Sequence, residues 1–305
     1  MSTTVHDALV LFQEAVDRED DPQASRELFE RVLEIQRANG GTLENDDVLI
    51  PLEATLMNIA SLSQTLRDWE RLRDVAAELR SVAPFQGSAH TMYSIALKHL
   101  GDAAGAAQAL ERAFSVAPSE INPRHEHACQ LLAAGDRAGA LDAVAAAMER
   151  GAEPDALRDD EELAALHGDP RFEELLGRDN HVACLVRLLD EEHADFAEDA
   201  PAPGDEAFGD WVTDDETIER FEDAVDLAAS LLESADVASV PLLPADADGS
   251  EILDISQADA TQVRAIEAVV RAERFWHAIP FLLLLGSHHL PAVDPEDARA
   301  RLGLA

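Results

Sequence analysis

The residues able to do chemistry are few and scattered. His125-Glu126-His127 sets two imidazoles two positions apart, His181 and Cys184 stand three apart, and His288-His289 is an adjacent pair. A zinc-type site takes four ligands, or three and an open position, and none of these groups has further ligands at usable spacing. On a helix, residues two apart diverge by about 200°, so His125 and His127 are expected on different sides. Arg264, Arg271 and Arg274 share a helical face with Glu267 and offer an anion site, but Glu267 to Arg271 is also a favourable i to i+4 ion pair. An internal ion-pair network is the expectation there. With 62 Asp and Glu in the chain, a pair of carboxylates arises by chance. The adjacent glycines Gly40-Gly41 lead into Thr42-Leu43-Glu44, with no lysine to reach a phosphate. Enzymatic activity therefore has no positive support, and no catalytic residue, cofactor or metal is expected.

Whatever these residues do depends on the elements that carry them, and composition bounds those first. The 305 residues suffice for one large or two medium domains, and 47% are hydrophobic, which excludes a disordered chain. The formal net charge is −39, with 62 acidic residues against 23 basic ones, of which only Lys98 is lysine. Such a balance is read as a halophilic surface adaptation, in which salt screens the carboxylates from one another, or as an acidic surface built for a basic partner. It argues against a nucleic-acid binder, which needs clustered Lys and Arg to release counterions. Cys129 and Cys184 lie in apolar helical contexts and are expected as free thiols. The start of the chain lacks a signal-peptide pattern, and the strongest apolar run, Ile279 to Leu285, contains Pro280 and falls far short of the ~20 residues of a membrane helix. A cytoplasmic protein without membrane or nucleic-acid partners is expected.

A 34-residue pulse organises the first half. Asp68, Asp102 and Asp136 are spaced by 34 (102 − 68 and 136 − 102), and so are Ala60, Ser94 and Ala128. Gly101-Asp102 recurs as Gly135-Asp136, and Pro84 recurs as Pro118. In the unit near Ser88, Tyr93, Leu97 and Leu100 form one apolar stripe, Gly101-Asp102 breaks the helix, and Ala106, Leu110, Ala113 and Phe114 form the second. A fixed period with a turn between two apolar helical stretches marks a stacked helix-turn-helix array.

This pattern resembles the tetratricopeptide repeat over about residues 1–178. With Gly87 as first position, Ser94, Ala106, Ala113 and Pro118 match its small residues and proline. The unit from Ile121 matches at Ala128, Ala140 and Ala147, with Ala152 in place of proline. The unit from Glu53 matches at Ala60 and Pro84 but carries Leu72 and Leu79 where small residues belong, which implies a looser crossing. Upstream, residues 4 to 18 and 22 to 38 read as another helix pair, stretched from the next by Asn39-Gly40-Gly41 and a loop to Asp47. Leu157 to Leu176 resembles the short helices that close such arrays.

The resemblance implies a groove lined by the first helix of each unit. Transferring its positions gives Met57, Ser61 and Gln64 in one unit, Thr91, Ile95 and Lys98 in the next, and Asn122, His125, Cys129 and Leu132 in the third. The two-lysine, two-asparagine clamp with which some family members hold a peptide's terminal carboxylate is not matched, so apolar anchors and amide hydrogen bonds would hold a partner's segment. Residues 179–305 form a second, mainly helical domain outside the period, with helices at about 181 to 193, 216 to 233, 258 to 276 and 279 to 287, and an acidic loop near 194–215. Ala258 to Phe275, with Val270-Arg271-Ala272-Glu273-Arg274-Phe275 followed by Gly286, weakly resembles a bacterial domain family of unknown function, although Ala278 stands in place of a glycine. The expectation is an all-α protein that binds a protein or peptide partner as an adaptor or scaffold. An enzyme or regulatory effector acting through 181–303, with the solenoid as targeting arm, is the alternative.

Overall fold

The computed structural model describes residues 3–276, apart from 19, 46–47, 119, 202–205, 212 and 244–252. The helix expected at 279 to 287 and the pair His288-His289 lie outside the described residues. The chain divides into two compact units, residues 1–146 with 160–167, and 147–159 with 168–305. The stretch 157–176, expected as one cap, is thus shared between the units. Among the described residues both are mainly helical.

The first unit is a TPR-like solenoid of helix pairs. Helices α1 (Thr3–Val16) and α2 (Pro22–Ala38) form the first pair; α3 (Leu52–Thr65) and α4 (Trp69–Val82) the second; α5 (Gly87–His99) and α6 (Ala103–Val116) the third; α7 (Asn122–Ala133) and α8 (Arg137–Met148) the fourth. From α1 to α7 each helix packs on the next, and α5 also packs on α3 and α7, which sets the first helices of these pairs side by side. The array is closed by a 3-10 segment, Glu161–Leu166.

The aspartate pulse has a structural cause. A helix leaves its first N–H groups without partners, and a carboxylate at the N-cap satisfies one of them. Asp68, Asp102 and Asp136 accept from the N–H of Arg71, Gly105 and Gly139 at 3.2, 2.9 and 2.9 Å. Each aspartate also donates its own N–H back across the turn, to Ser63, Leu97 and Leu131. The residue before each adopts a left-handed backbone: Arg67 at φ 55°, Gly101 at 86° and Gly135 at 84°. Asp21 caps α2 in the same way, but stands 47 residues before Asp68 (68 − 21), so the first spacing is 13 residues too long (47 − 34). That insertion carries the antiparallel strands β1 (Leu43–Asn45) and β2 (Val48–Ile50), where a loop was expected. Buried Gln36 donates to the Ile50 carbonyl at 2.9 Å and ties this ribbon to α2.

The small residues sit at the crossings. Ala60, Ser94, Ala113, Ala128, Ala140 and Ala147 are fully buried and Ala106 nearly so. Ser94 Oγ donates to the Ala106 carbonyl at 2.8 Å and accepts from Gln130 at 2.7 Å, so one hydroxyl joins α5, α6 and α7. A Cβ on Gly87 would stand 2.5 Å from that of Ala117, which explains the glycine. Leu72 and Leu79, large where the repeat wants small, are themselves fully buried in the core with Leu56, Ile59 and Val75.

The second unit is built on α11 (His181–Asp199), α13 (Asp215–Ser234) and α14 (Ala260–Trp276), with the shorter α9 (Pro154–Asp159), α10 (Pro170–Leu176) and α12 (Glu206–Trp211). The expected loop near 194–215 is a correction: α11 continues to Asp199 and α12 occupies much of the remainder. The reason is aromatic. Phe196 is fully buried, stacks on Phe221 at 4.6 Å and meets the Trp211 ring at 5.9 Å, which holds acidic helical turns against an apolar centre. Arg271 pairs with Asp190 of α11 at 3.2 Å rather than serving the local partner Glu267. Among the described residues no helix is long and apolar enough to cross a membrane.

Candidate functional site

The inner face of the first unit encloses a cleft of about 600 Å³. It contains seven of the ten groove residues read from the repeat register: Gln64, Thr91, Ile95, Lys98, Asn122, His125 and Cys129. Their convergence follows from stacking, since α5 lies beside both α3 and α7. Met57, Ser61 and Leu132 fall outside. The cleft meets α3 only in its last turn, at Gln64, and beyond it lie Arg67 and Trp69. Met57, two turns earlier, packs against the apolar core, and Ser61 is exposed.

Four acidic residues that the register did not supply complete the walls: Glu126 of α7, and Asp160, Glu161 and Glu162 at the start of the 3-10 segment. They change the electrostatics of the groove. Lys98 Nζ donates to Glu126 at 2.9 Å and also to Glu162. Its side chain is 16% exposed and that of Glu126 only 5%. Burial works against the Lys98 charge, yet the two carboxylates outweigh it and hold the ammonium above its ordinary pKa. Burial raises the Glu126 carboxyl, and Lys98 opposes that rise. Lys98, expected to offer the groove's positive charge to a partner, is therefore committed to an internal pair. Arg67 reaches Glu161 at 3.0 Å through side chains that are largely exposed, a contact worth little in water.

His99 stacks on Trp69 with ring centroids 3.8 Å apart and 10° between planes. Its imidazole titrates below the usual value because of burial first and Lys98 second. His125 and Cys129, one turn apart on α7, face the same region as Asp160. His127 turns the other way, its ring T-shaped against Phe114 with centroids 5.6 Å apart, and burial lowers its pKa. One Asp160 oxygen caps the 3-10 segment through the Glu162 N–H at 2.7 Å; the other lies 2.6 Å from His125 Nε2 and accepts from Cys129 Sγ at 3.7 Å. His125 beside it holds the Asp160 carboxyl below its ordinary range despite burial. Burial, then the Asp160 and Glu126 carboxylates, push the Cys129 thiol well above its usual value.

The missed residues had a faint signal. Asp160-Glu161-Glu162 before Leu163 is a helix-start pattern, but nothing local says that the chain returns over α7 at that point. No family model and no curated protein matches the sequence. Among solved structures, a chain in the structure of Naa15/Naa10 bound to HypK-THB is similar at a TM-score of 0.34 and 12% identity, over 99% of this chain and 51% of that one. The chain thus spans about half the length of that neighbour. At such a distance the fold rests on the capped helix pairs and their packing.

Proposed function

We propose that the cleft holds an extended or helical segment of a partner protein and that the chain is a cytoplasmic adaptor. The observation that carries this reading is the cleft itself, about 600 Å³ bounded by consecutive first helices and by residues 160–162. Its lining combines apolar Trp69, Met92 and Ile95 with amide and carboxylate groups. Four carboxylates, at 126, 160, 161 and 162, face two basic side chains, Arg67 and Lys98, and each of those two already has an acidic neighbour. A segment with an apolar anchor flanked by lysine or arginine complements that surface, and a bare terminal carboxylate does not.

The test is retention of a stoichiometric partner from a native high-salt lysate. Ile95→Asp is expected to abolish retention in a chain that keeps its helical signal, with a lower unfolding midpoint because Ile95 also packs against the core. Retention that survives Ile95→Asp and disappears when residues 181–303 are deleted would move the function to the second unit.

A further inference from the structure

Within the cleft lining, three residues of different chemistry meet: His125, Cys129 and Asp160. His125 and Cys129 are separated by four positions on α7, which puts both on one face of the helix. Asp160 comes to them from a distant turn, 31 positions beyond Cys129. One ligand atom from each lies within 4.8 Å of those of the other two. Cys129 is 4% exposed. His125 Nε2 is buried and lies 2.6 Å from Asp160 Oδ2, a close contact that lacks the alignment of a good hydrogen bond.

We propose that His125, Cys129 and Asp160 bind a divalent transition-metal ion of the zinc class. A thiolate, an imidazole and a carboxylate form a donor set that suits zinc or cobalt over magnesium and calcium, which take oxygen ligands. The geometry agrees: with metal–sulfur and metal–oxygen bonds of about 2.3 and 2.0 Å, tetrahedral ligands sit roughly 3.5 Å apart. Cys129 Sγ and Asp160 Oδ2 are 3.7 Å apart. The closer His125–Asp160 contact has to open for this, and both side chains line the cleft, 27% and 23% exposed. Asp160 needs only its second oxygen for the ion, because the first caps the following turn, a hydrogen bond that also orients the ligand.

Cys129 belongs to a second cluster, with Glu126 and Glu162, but Lys98 bridges those two carboxylates and already supplies their positive charge. The ion is therefore assigned to the His125 side. Three protein ligands leave a fourth position facing the cleft, as zinc sites with an exchangeable ligand do. Binding replaces the S–H bond of Cys129 by a metal–sulfur bond and releases the proton to solvent.

The experiment titrates the full chain with cobalt(II), with magnesium in excess to occupy surface carboxylates. A single equivalent is expected to give the thiolate-to-cobalt charge-transfer band in the near ultraviolet, and zinc should bleach it. Cys129→Ser should abolish the band and Cys184→Ser should leave it. His125→Asn and Asp160→Asn should each weaken binding by more than the roughly tenfold that an outer-shell partner is worth. If Cys129→Ser does not fold, His125→Asn decides the matter, because that ring is partly exposed and its loss removes no core packing. No charge-transfer band in the folded chain, or one unaltered in His125→Asn, overturns the proposal. Neither outcome depends on whether a protein segment binds the cleft.

Discussion

The helix pairs between Leu52 and Ala146 and the bundle of α11, α13 and α14 meet the same requirement, one covered apolar face per helix, with different residues. In the pairs, crossings are made close by Ala60, Ser94, Ala106, Ala113, Ala128 and Ala140, and turns are closed by aspartates at a fixed interval. In the bundle, the centre is filled by Phe196, Phe221 and the neighbouring Trp211, with Leu189, Leu231 and Ile266 around them. A repeated environment demands the same side-chain size every 34 residues, whereas a core formed once is satisfied by any set that fills it. That is why the first region leaves a period in the chain and the second does not. It also leaves the first region with a continuous inner face, and the second with a closed centre.

The largest expected separation between the regions is their response to salt. From residue 188 through 263 Arg220 is the only Lys or Arg, and its guanidinium lies over the Phe196 ring at 4.5 Å. The first unit ties many carboxylates to arginines, among them Glu30 to Arg71 and Asp68 to Arg26, while in the second such pairs are made by arginines flanking that stretch, among them Arg187 and Arg271. Diluting salt lengthens the screening distance from about 3 Å near 1 M to about 10 Å at 0.1 M. Melting followed by hydrogen exchange in each unit should fall on dilution, and further in α11 to α14 than in α3 to α7. A flat profile in both would favour an acidity made for a specific basic partner.

Core truncation comes next. Phe196→Ala removes a fully buried ring from the aromatic centre and is expected to cost about 3–5 kcal/mol in the second unit. Ala113→Leu is the matching insult to the repeats, overpacking a crossing at a cost of about 1–3 kcal/mol. An unchanged midpoint in Ala113→Leu would mean that the crossing is looser than its burial indicates. Equal protection losses in both units from Phe196→Ala would mean that they unfold as one.

What could be read in the chain was what is decided locally. Caps, turns and crossing positions are fixed by residues three to five apart and then repeated, so Asp102 and Ser94 declare themselves. The β-ribbon was invisible because three-residue strands are too short to show alternation. Glu126 looked like one more solvated carboxylate; its burial depends on Lys98, 28 positions earlier, and on Glu162. Asp160 reaches His125 and Cys129 only because α8 and α9 carry the chain away and back. Prolines, glycines and carboxylates between Glu198 and Gly209 read as a loop, yet Phe196 just before them anchors the helix to Asp199. Cleft positions on α5 and α7 were legible through the repeat, and those contributed by the closing segment were not.

The smallest expected effect tests the turn chemistry directly. Arg67 stands in the left-handed region at φ 55°, where the next two repeats have Gly101 and Gly135. An L-residue there is strained by about 1–2 kcal/mol, and glycine returns roughly half of that relief through its freer unfolded chain. Arg67→Gly should therefore raise the stability of the first unit by about 0.5–1 kcal/mol. The reverse change, Gly101→Arg, should lower it by a similar amount, since a Cβ at Gly101 meets nothing within 4 Å and backbone strain alone is added. Arg67→Gly gives up the pair with Glu161, whose side chains are 71% and 83% exposed. Such a pair contributes little in water. If denaturant melts show Arg67→Gly to be destabilising, the arginine is holding residue 161 against the cleft more firmly than its exposure implies, and the wall of the groove depends on that turn.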